Sequence, residues 1–418
     1  MRSVFVNIGP LVSFRQGQSS LLEKAVESTG LGIVVDGNRI VKIRESQELI
    51  EEYAIPDDMV SDNSDMTYFD VNHRAVVPGL IDTHTHLLWA GDRSREVSWR
   101  REGKSYAEIA SLGGGIQYTV QRTKRATDEE LHALGYQRLR EALRTGTTHL
   151  EAKSGYGLDV ESELRLLDVA ERLNHDVSTP SIDHTWMGAH DIPKGTTVDA
   201  YVDDLLTLQL PAVVEQGIAR SADVFCEPGW FSTEQSEDIL RSSKDAGMSL
   251  RMHVDEFADG GGGALAAELG VETADHAYHT PHDVRLRMKN SEVNTGFLPG
   301  TPYAMGDVWP DMEPIVKDAI PFTLASDFNP NCRTLSLPFI CSLMVQRCGM
   351  HPLDAVAAVT VNAAKISPHP SGLQHGQITE GAVANFNIVD GEHWESMVLR
   401  PSSTPFVGTV LNGMFTAH

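Results

Sequence analysis

Cysteine is scarce in this chain. There are four in 418 residues, Cys226, Cys332, Cys341 and Cys348, and no two form a CxxC pair. That excludes a disulfide framework and fits a reducing compartment. Long apolar runs are also missing, with nothing near the roughly 18 unbroken residues of a membrane span. The opening MRSVFVNIGPLVSF is broken by Asn7, Gly9 and Pro10, with no small-residue cleavage site after it. It does not read as a signal peptide, so the expected location is the cytoplasm. Positive charge is short as well: 34 Lys and Arg against 58 Asp and Glu give a formal net charge of -24. Such a chain repels phosphate backbones, which argues against nucleic acid as a partner. An anionic small molecule would need a local cation to be held. The glycine runs at 113–115 and 260–263 lack the Lys-Ser/Thr of a phosphate loop and the dinucleotide fingerprint, so tight turns are expected there.

What is present is ample core material, 41% hydrophobic against 22% charged. A (β/α)8 barrel takes roughly 250 residues, leaving enough here for an accessory unit. LGIVVDGNRIVKI (31–43) is two apolar runs around Asp36-Gly37-Asn38, a hairpin signal. Near the other end, AVANFNIVD (382–390) and VGTVLNGMF (407–415, turning at Asn412-Gly413) look similar. The expectation is a small β-sandwich built from residues 1–75 and 371–418 around a barrel at 76–370.

The middle alternates strands and helices. Strand candidates are 79–86, 148–155, 181–190, 222–231, 250–257, 274–279, 294–300 and 321–329. Thr127 and Glu130 form a capping box ahead of Leu131, Leu134, Leu139 and Leu143, and Gly146 ends that helix. Ser232 and Gln235 open another, which ends near Gly247. Eight strands in alternation with helices point to a closed parallel barrel, with an open doubly wound sheet as the alternative.

Most of these strands begin apolar and end in His, Asp, Glu or Lys, where such barrels carry their chemistry. VVPGLID drives the first strand into the core and delivers His84 and His86 at its end, two residues apart and so on one side. An isolated HxH is as easily a satisfied surface pair. His253, after Leu250-Arg251-Met252, and Asp327, after PFTLAS, complete three histidines and one carboxylate. That donor set suits a transition-metal ion with coordination left for water, whose pKa the ion lowers toward ~7. Glu256, three residues past His253, could move a proton. His276 could polarise a carbonyl, and His190 could bind ligand; a structural hydrogen bond is the plainer role for each. Arg93, on the loop leaving the first strand, is the anion candidate, against an ordinary ion pair with Asp92 or Glu96. Tyr156 is a ligand contact or a packed loop tyrosine.

PGLIDTHTHLLWAGDRSRE, GGGIQYTVQRT, EAKSGYGLDVESELRLL, MGAHDIP, HVDEF, ADH and ASDFNP resemble the amidohydrolase superfamily. KSGYGL, MGAH and DFNP, in this order, resemble the imidazolonepropionase family of histidine degradation. The likeness covers roughly residues 76–365. It implies hydrolysis of 4-imidazolone-5-propanoate to N-formimidoyl-L-glutamate. By that resemblance His84, His86, His253 and Asp327 hold zinc or iron, and Arg93, Tyr156 and His190 contact the substrate. Glu256 and His276 line the reacting ring, Asn329 contacts product, and Asp327 or Glu256 passes the proton to the departing nitrogen. Binuclear barrels of the superfamily commonly bridge two ions with a carbamylated lysine on the fourth strand. ADVFCEPGWF offers Glu227 and no lysine, so one ion per subunit is expected. After DFNP the family usually has Gly then Ser or Thr; here Asn331 and Cys332 stand in those ligand-contact positions, and a thiol is a weak hydrogen-bond partner. Superfamily barrels often pair, which implies a homodimer. Two other readings remain: another cyclic amidohydrolase or nucleobase deaminase, whose neutral base would give Arg93 no carboxylate, and a non-catalytic binding barrel.

Overall fold

The structure, a computed structural model, describes residues 2–14, 25–27, 29–56, 66–306 and 308–418. Eight parallel strands form one sheet in sequential order: β1 (Leu80–Asp82), β2 (Thr147–Lys153), β3 (Ser181–Ala189), β4 (Ser221–Cys226), β5 (Ser249–Val254), β6 (Thr273–His276), β7 (Asn294–Phe297) and β8 (Phe322–Leu324). Each lies within one residue of a segment expected from the sequence. The seam closes just past the ends of β1 and β8. Thr85 bridges Phe328 in parallel, the His86 amide donates to Phe328 O at 2.8 Å, and the Asp327 amide donates to His84 O at 3.1 Å. The sheet is therefore a barrel, and its closing bonds involve three of the four residues expected to bind metal.

Helices cover the barrel for the reasons the sequence shows. Thr127 accepts from the Glu130 amide and Glu130 accepts from the Thr127 amide, capping the helix Asp128–Arg144. It buries Leu131, Leu139 and Leu143 at roughly 1.5–3 kcal/mol each. Leu134 is only half-buried. The inward position beside it is Gly135, where a Cβ would stand 2.4 Å from Leu173 and 2.7 Å from Leu88. Ser232 and Gln235 cap Thr233–Asp245 in the same reciprocal way.

The chain ends make the second body, two sheets sharing a core. One sheet uses Arg2–Ile8, Leu31–Asp36, Arg39–Glu45 and Met66–Asp70. The other joins Leu11–Val12 and Val26–Glu27 from the N-terminal side to Phe386–Val389, Phe406–Leu411 and Met414–Ala417 from the C-terminal side. Both expected turns are present, after Asp36 and after Leu411. Phe5, Ile33 and Val35 pack against Val76, Phe386, Ile388 and Val410, with the Phe5 and Phe386 rings edge to face at 5.1 Å. The boundary differs by three residues from expectation. Val76–Pro78 pairs antiparallel with Phe386–Ile388 in the terminal sheet, and the barrel begins beyond Gly79. An all-buried VVPGLID run is continuous because one half belongs to each body. Among the described residues no helix is long and apolar enough to cross a membrane.

Candidate metal centre and active site

The C-terminal ends of the strands converge on a cavity of about 240 Å³, below the roughly 300–1,000 Å³ of drug-sized ligand sites. Eleven of the residues expected at the site line it, Asn331 among them beside Arg93. His84 lies behind them, fully buried. The ring centroid of His84 is 4.4 Å from that of His253 and 5.5 Å from that of His86. Asp327 Oδ1 lies 3.6 Å from His84 Nε2 and 3.7 Å from His86 Nε2. Two triads have their donor atoms within 4.8 Å of one another, His84–His86–Asp327 and His84–His253–His276. They share His84, so the five side chains form one cluster. His276, read from sequence as a carbonyl-polarising group, thus stands within reach of the metal donors.

The donors are aimed from behind. His84 Nδ1 donates to Asp275 Oδ2 at 2.6 Å, and His253 Nδ1 donates to Asp223 Oδ1 at 3.1 Å. Each bond fixes the tautomer and turns a lone pair on Nε2 into the cluster. Those Nε2 atoms are buried and have no hydrogen-bond partner. Burial also drives His84, His86 and His276 well below the usual imidazole range, keeping them neutral, the ligating form. Burial raises the Asp327 carboxyl, while Thr301 Oγ1 donates to its Oδ2 at 2.8 Å. Buried nitrogens with lone pairs converging beside a carboxylate are what a divalent transition metal satisfies, and the donor set fits one. The backbone supports this at some cost. Asp255, His276 and Asp327 have φ of 49°, 67° and 48°, left-handed values worth about 1–2 kcal/mol each for non-glycine residues. Asp255 directly follows β5, His276 is the last residue of β6, and Asp327 lies three residues past β8.

His190 stacks on His86, centroids 4.8 Å apart and planes at 18°. Its Nδ1 donates to Gly155 O at 2.9 Å, and burial lowers its pKa to about 3. Gly155 is required there: its φ is 94° and a Cβ would come within 2.8 Å of His190 Nδ1. The KSGYGL turn is held by Glu163, which accepts from the amides of Gly155, Gly157 and Leu158. Tyr156 packs beside His190 at 5.0 Å. Glu256 Oε2 faces His276 Nε2 at 3.6 Å. Glu227, the residue after the strand without a lysine, accepts from the Glu256 amide and so braces that loop. Burial pushes Glu227 up to about 7.

Three expectations change in detail. Arg93 lines the cavity but also makes the ion pair named as its plainer role, Nε to Glu96 Oε1 at 2.7 Å and Nη2 to Oε2 at 2.9 Å. The pair is buried, not superficial. Asn331 braces it: with its amide turned to satisfy both neighbours, its oxygen accepts from Arg93 Nη2 at 3.0 Å and its nitrogen donates to Glu96 at 3.3 Å. Asn329 spends its side chain within its own loop, accepting from the amides of Asn331 and Cys332 and donating to Asp327 O. Cys332 is buried with its thiol pushed up to about 12, and Gly300 makes room for its Sγ. Both glycine runs wrap carboxylates. The Gly115 amide donates to Glu96, and the amides of Gly260, Gly262 and Gly263 donate to Asp255. Any phosphate-sized nest there is already filled.

The sequence reasoning missed the aromatic wall of Phe225, Trp230 and Phe257, packed at 4.9 to 6.3 Å. It also missed Arg138, whose guanidinium donates to Leu87 O and Trp89 O and lies 4.0 Å over the Trp89 ring. The signal for the wall was available as FCEPGWF and HVDEF, two strand ends that each finish in an aromatic. Arg138 carried no signal, being one more charge on a helix.

The amidohydrolase family model matches residues 75–415. An imidazolonepropionase of Haloarcula marismortui is 40% identical over 313 residues, 75% of this chain and 74% of that protein. An imidazolonepropionase of Geobacillus kaustophilus is 35% identical over 399 residues, 93% and 92% of the two chains. A probable imidazolonepropionase of Homo sapiens is 35% identical over 334 residues, 79% and 78%. Among solved structures, a Klebsiella pneumoniae 5-methylcytosine deaminase superposes with a TM-score of 0.71 at 16% identity, covering 99% of this chain and 98% of that one. That likeness is one of fold. With the cluster at the barrel mouth and relatives this similar over most of their length, the chain belongs to the amidohydrolase family and, within it, to the imidazolonepropionases.

Proposed function

We propose that the chain hydrolyses 4-imidazolone-5-propanoate to N-formimidoyl-L-glutamate in the cytoplasm, with His84, His86, His253 and Asp327 holding one zinc or iron ion. The single observation carrying this reading is the pair of orphaned Nε2 atoms on His84 and His253, each opposite a nitrogen tied to a buried carboxylate. One ion, not two, is favoured because His84 belongs to both donor triads and has only Nε2 to give. When bound, the ion lowers the pKa of water and polarises a carbonyl.

The protein's residues do the rest. Arg93 and Tyr156 hold the propanoate end and His190 the ring, against the wall of Phe225 and Trp230, which keeps water from that face. Water adds to the ring carbonyl carbon, and the bond from that carbon to the ring nitrogen breaks. Glu256 Oε2, facing His276, takes the proton that the adding water loses and hands it to the departing nitrogen. Asp327 is less suited to that transfer, since Thr301 holds one of its oxygens and the metal would take the other. The test is metal content together with turnover of the imidazolone by purified protein. Metal bound with no turnover, or turnover untouched by chelation, would overturn the reading.

A further inference from the structure

Lys153 is a cation buried in the barrel that hydrolysis itself does not use. Lys153, at the end of β2, is fully buried, and its ammonium meets Glu151 Oε1 at 2.8 Å and Asp223 Oδ2 at 2.6 Å. Both carboxylates lead to the cluster. Asp223 turns its other oxygen to His253 Nδ1 at 3.1 Å. Glu151 turns its other oxygen to the Thr85 amide at 3.2 Å, and its carbonyl accepts from Thr85 Oγ1 at 2.6 Å. Thr85 is the residue between His84 and His86. One ammonium thus touches the supports of three histidines that come from two strands far apart in sequence.

We propose that Lys153 is the positioning residue of the metal centre, clamping Asp223 behind His253 and Glu151 behind the His84–His86 strand, and through them setting metal affinity. The proposal rests on the ligand assignment made under the proposed function. Its physical basis is that two carboxylates buried side by side repel each other unless a shared cation holds them. Without the ammonium, neither keeps the orientation that aims its second oxygen. A purely electrostatic role predicts the opposite sign, because a positive charge near a cation site repels the cation, and its removal would tighten binding.

The experiment measures zinc affinity by chelator competition, and the visible absorption of the cobalt-substituted protein, for wild type, K153M, D223N and the double variant. K153M and D223N should each weaken zinc binding about 10- to 100-fold. The double variant should be no weaker than the weaker single, because both changes break one chain of contacts. The cobalt bands of K153M should shift as His253 loses its fixed angle. Equal or tighter zinc binding by K153M, or losses that multiply in the double variant, would overturn the proposal. Should K153M not fold, E151Q/K153Q removes one charge of each sign and carries the same test, with unchanged affinity again the refuting result. A wild type that binds no zinc would sink the ligand assignment instead, so the two failures are distinguishable.

Discussion

Buried histidines crowd both ends of this barrel, yet only one end is a candidate for chemistry. At the N-terminal end His149, His369 and His375 stand with ring centroids 5.1 to 5.8 Å apart, close to the 4.4 and 5.5 Å found at the mouth. The difference is what stands behind the nitrogens. Both nitrogens of His149 are bonded to serine hydroxyls, of Ser181 at 2.8 Å and Ser367 at 3.0 Å. His375 donates to Ser367 O, and His369 is paired with Ser371. Among the described residues, no set of three donors from that end converges as the mouth's do. Behind His84 and His253 at the mouth stand carboxylates, which leave the opposite nitrogens electron-rich and aimed into one cluster. Crowding alone marks buried polar packing; convergence with anionic backing marks a metal site.

The sharpest way to break that contrast is to delete one histidine from each end. His253→Ala should lose the metal and lower kcat/KM by more than roughly 10⁴-fold, above 5 kcal/mol of transition-state stabilisation, with the melting profile of a folded protein. His149→Ala should leave kcat/KM within a few-fold but cost about 1–3 kcal/mol of stability, since it takes the imidazole from the Ser181 hydroxyl while Ser367 keeps its bond to Asp183. Comparable activity losses in the two variants would erase the distinction between the ends. A smaller effect follows at the mouth for Glu256→Gln, an isosteric change that removes the transferable proton. We expect kcat to fall on the order of 10²–10³-fold with metal content unchanged. Loss of metal in that variant would mean Glu256 is a ligand.

The same contrast explains how far the sequence could be read. Strand placement was legible because apolar runs and capping boxes are local, as with Thr127 and Glu130 around their helix start. His84, His86, His253 and Asp327 were legible because each follows an apolar run that has no packing reason to end in a donor. Lys153, Asp223 and Asp275 were not. They too end or interrupt strands, but their role rests on partners brought from other strands, such as Asp223 for Lys153, 70 residues on, and His84 for Asp275, 191 residues away. That Asn331 and Asn329 spend their amides on neighbours was not legible either, because only the folded loop brings those neighbours near.

Next in size is Arg93, where binding and chemistry separate. Arg93→Met keeps the apolar stem and removes the guanidinium. KM should rise roughly 10- to 100-fold, the loss of one charged hydrogen-bonded contact of about 1.5–3 kcal/mol, with little change in kcat. Some stability should go as well, since among the described residues Glu96 then keeps only Arg100, at 3.7 Å, as an ion-pair partner. A fall in kcat with KM unchanged would place Arg93 in the chemistry and not at the propanoate.

The smallest expected effect lies at the N-terminal end and has a pH signature. Asp183 is buried, which would raise its pKa, but the guanidiniums of Arg220, at 2.7 Å, and Arg251, at 3.1 Å, hold it at about 2. An unfolded aspartate titrates near 3.8. Between those values the unfolded chain binds more protons, so stability rises with pH there. The contribution, on the order of 2 kcal/mol, is complete above about pH 4 and lost as pH falls through 2. Asp183→Asn should therefore leave kcat/KM at neutral pH unchanged while its stability deficit, measured by denaturant midpoints, shrinks between roughly pH 4.5 and 2.5. A deficit constant across that window would show the pair acts by packing alone. An activity loss would show that the closed end speaks to the open one, through Arg251, which spans from Asp183 to Thr83 O beside His84.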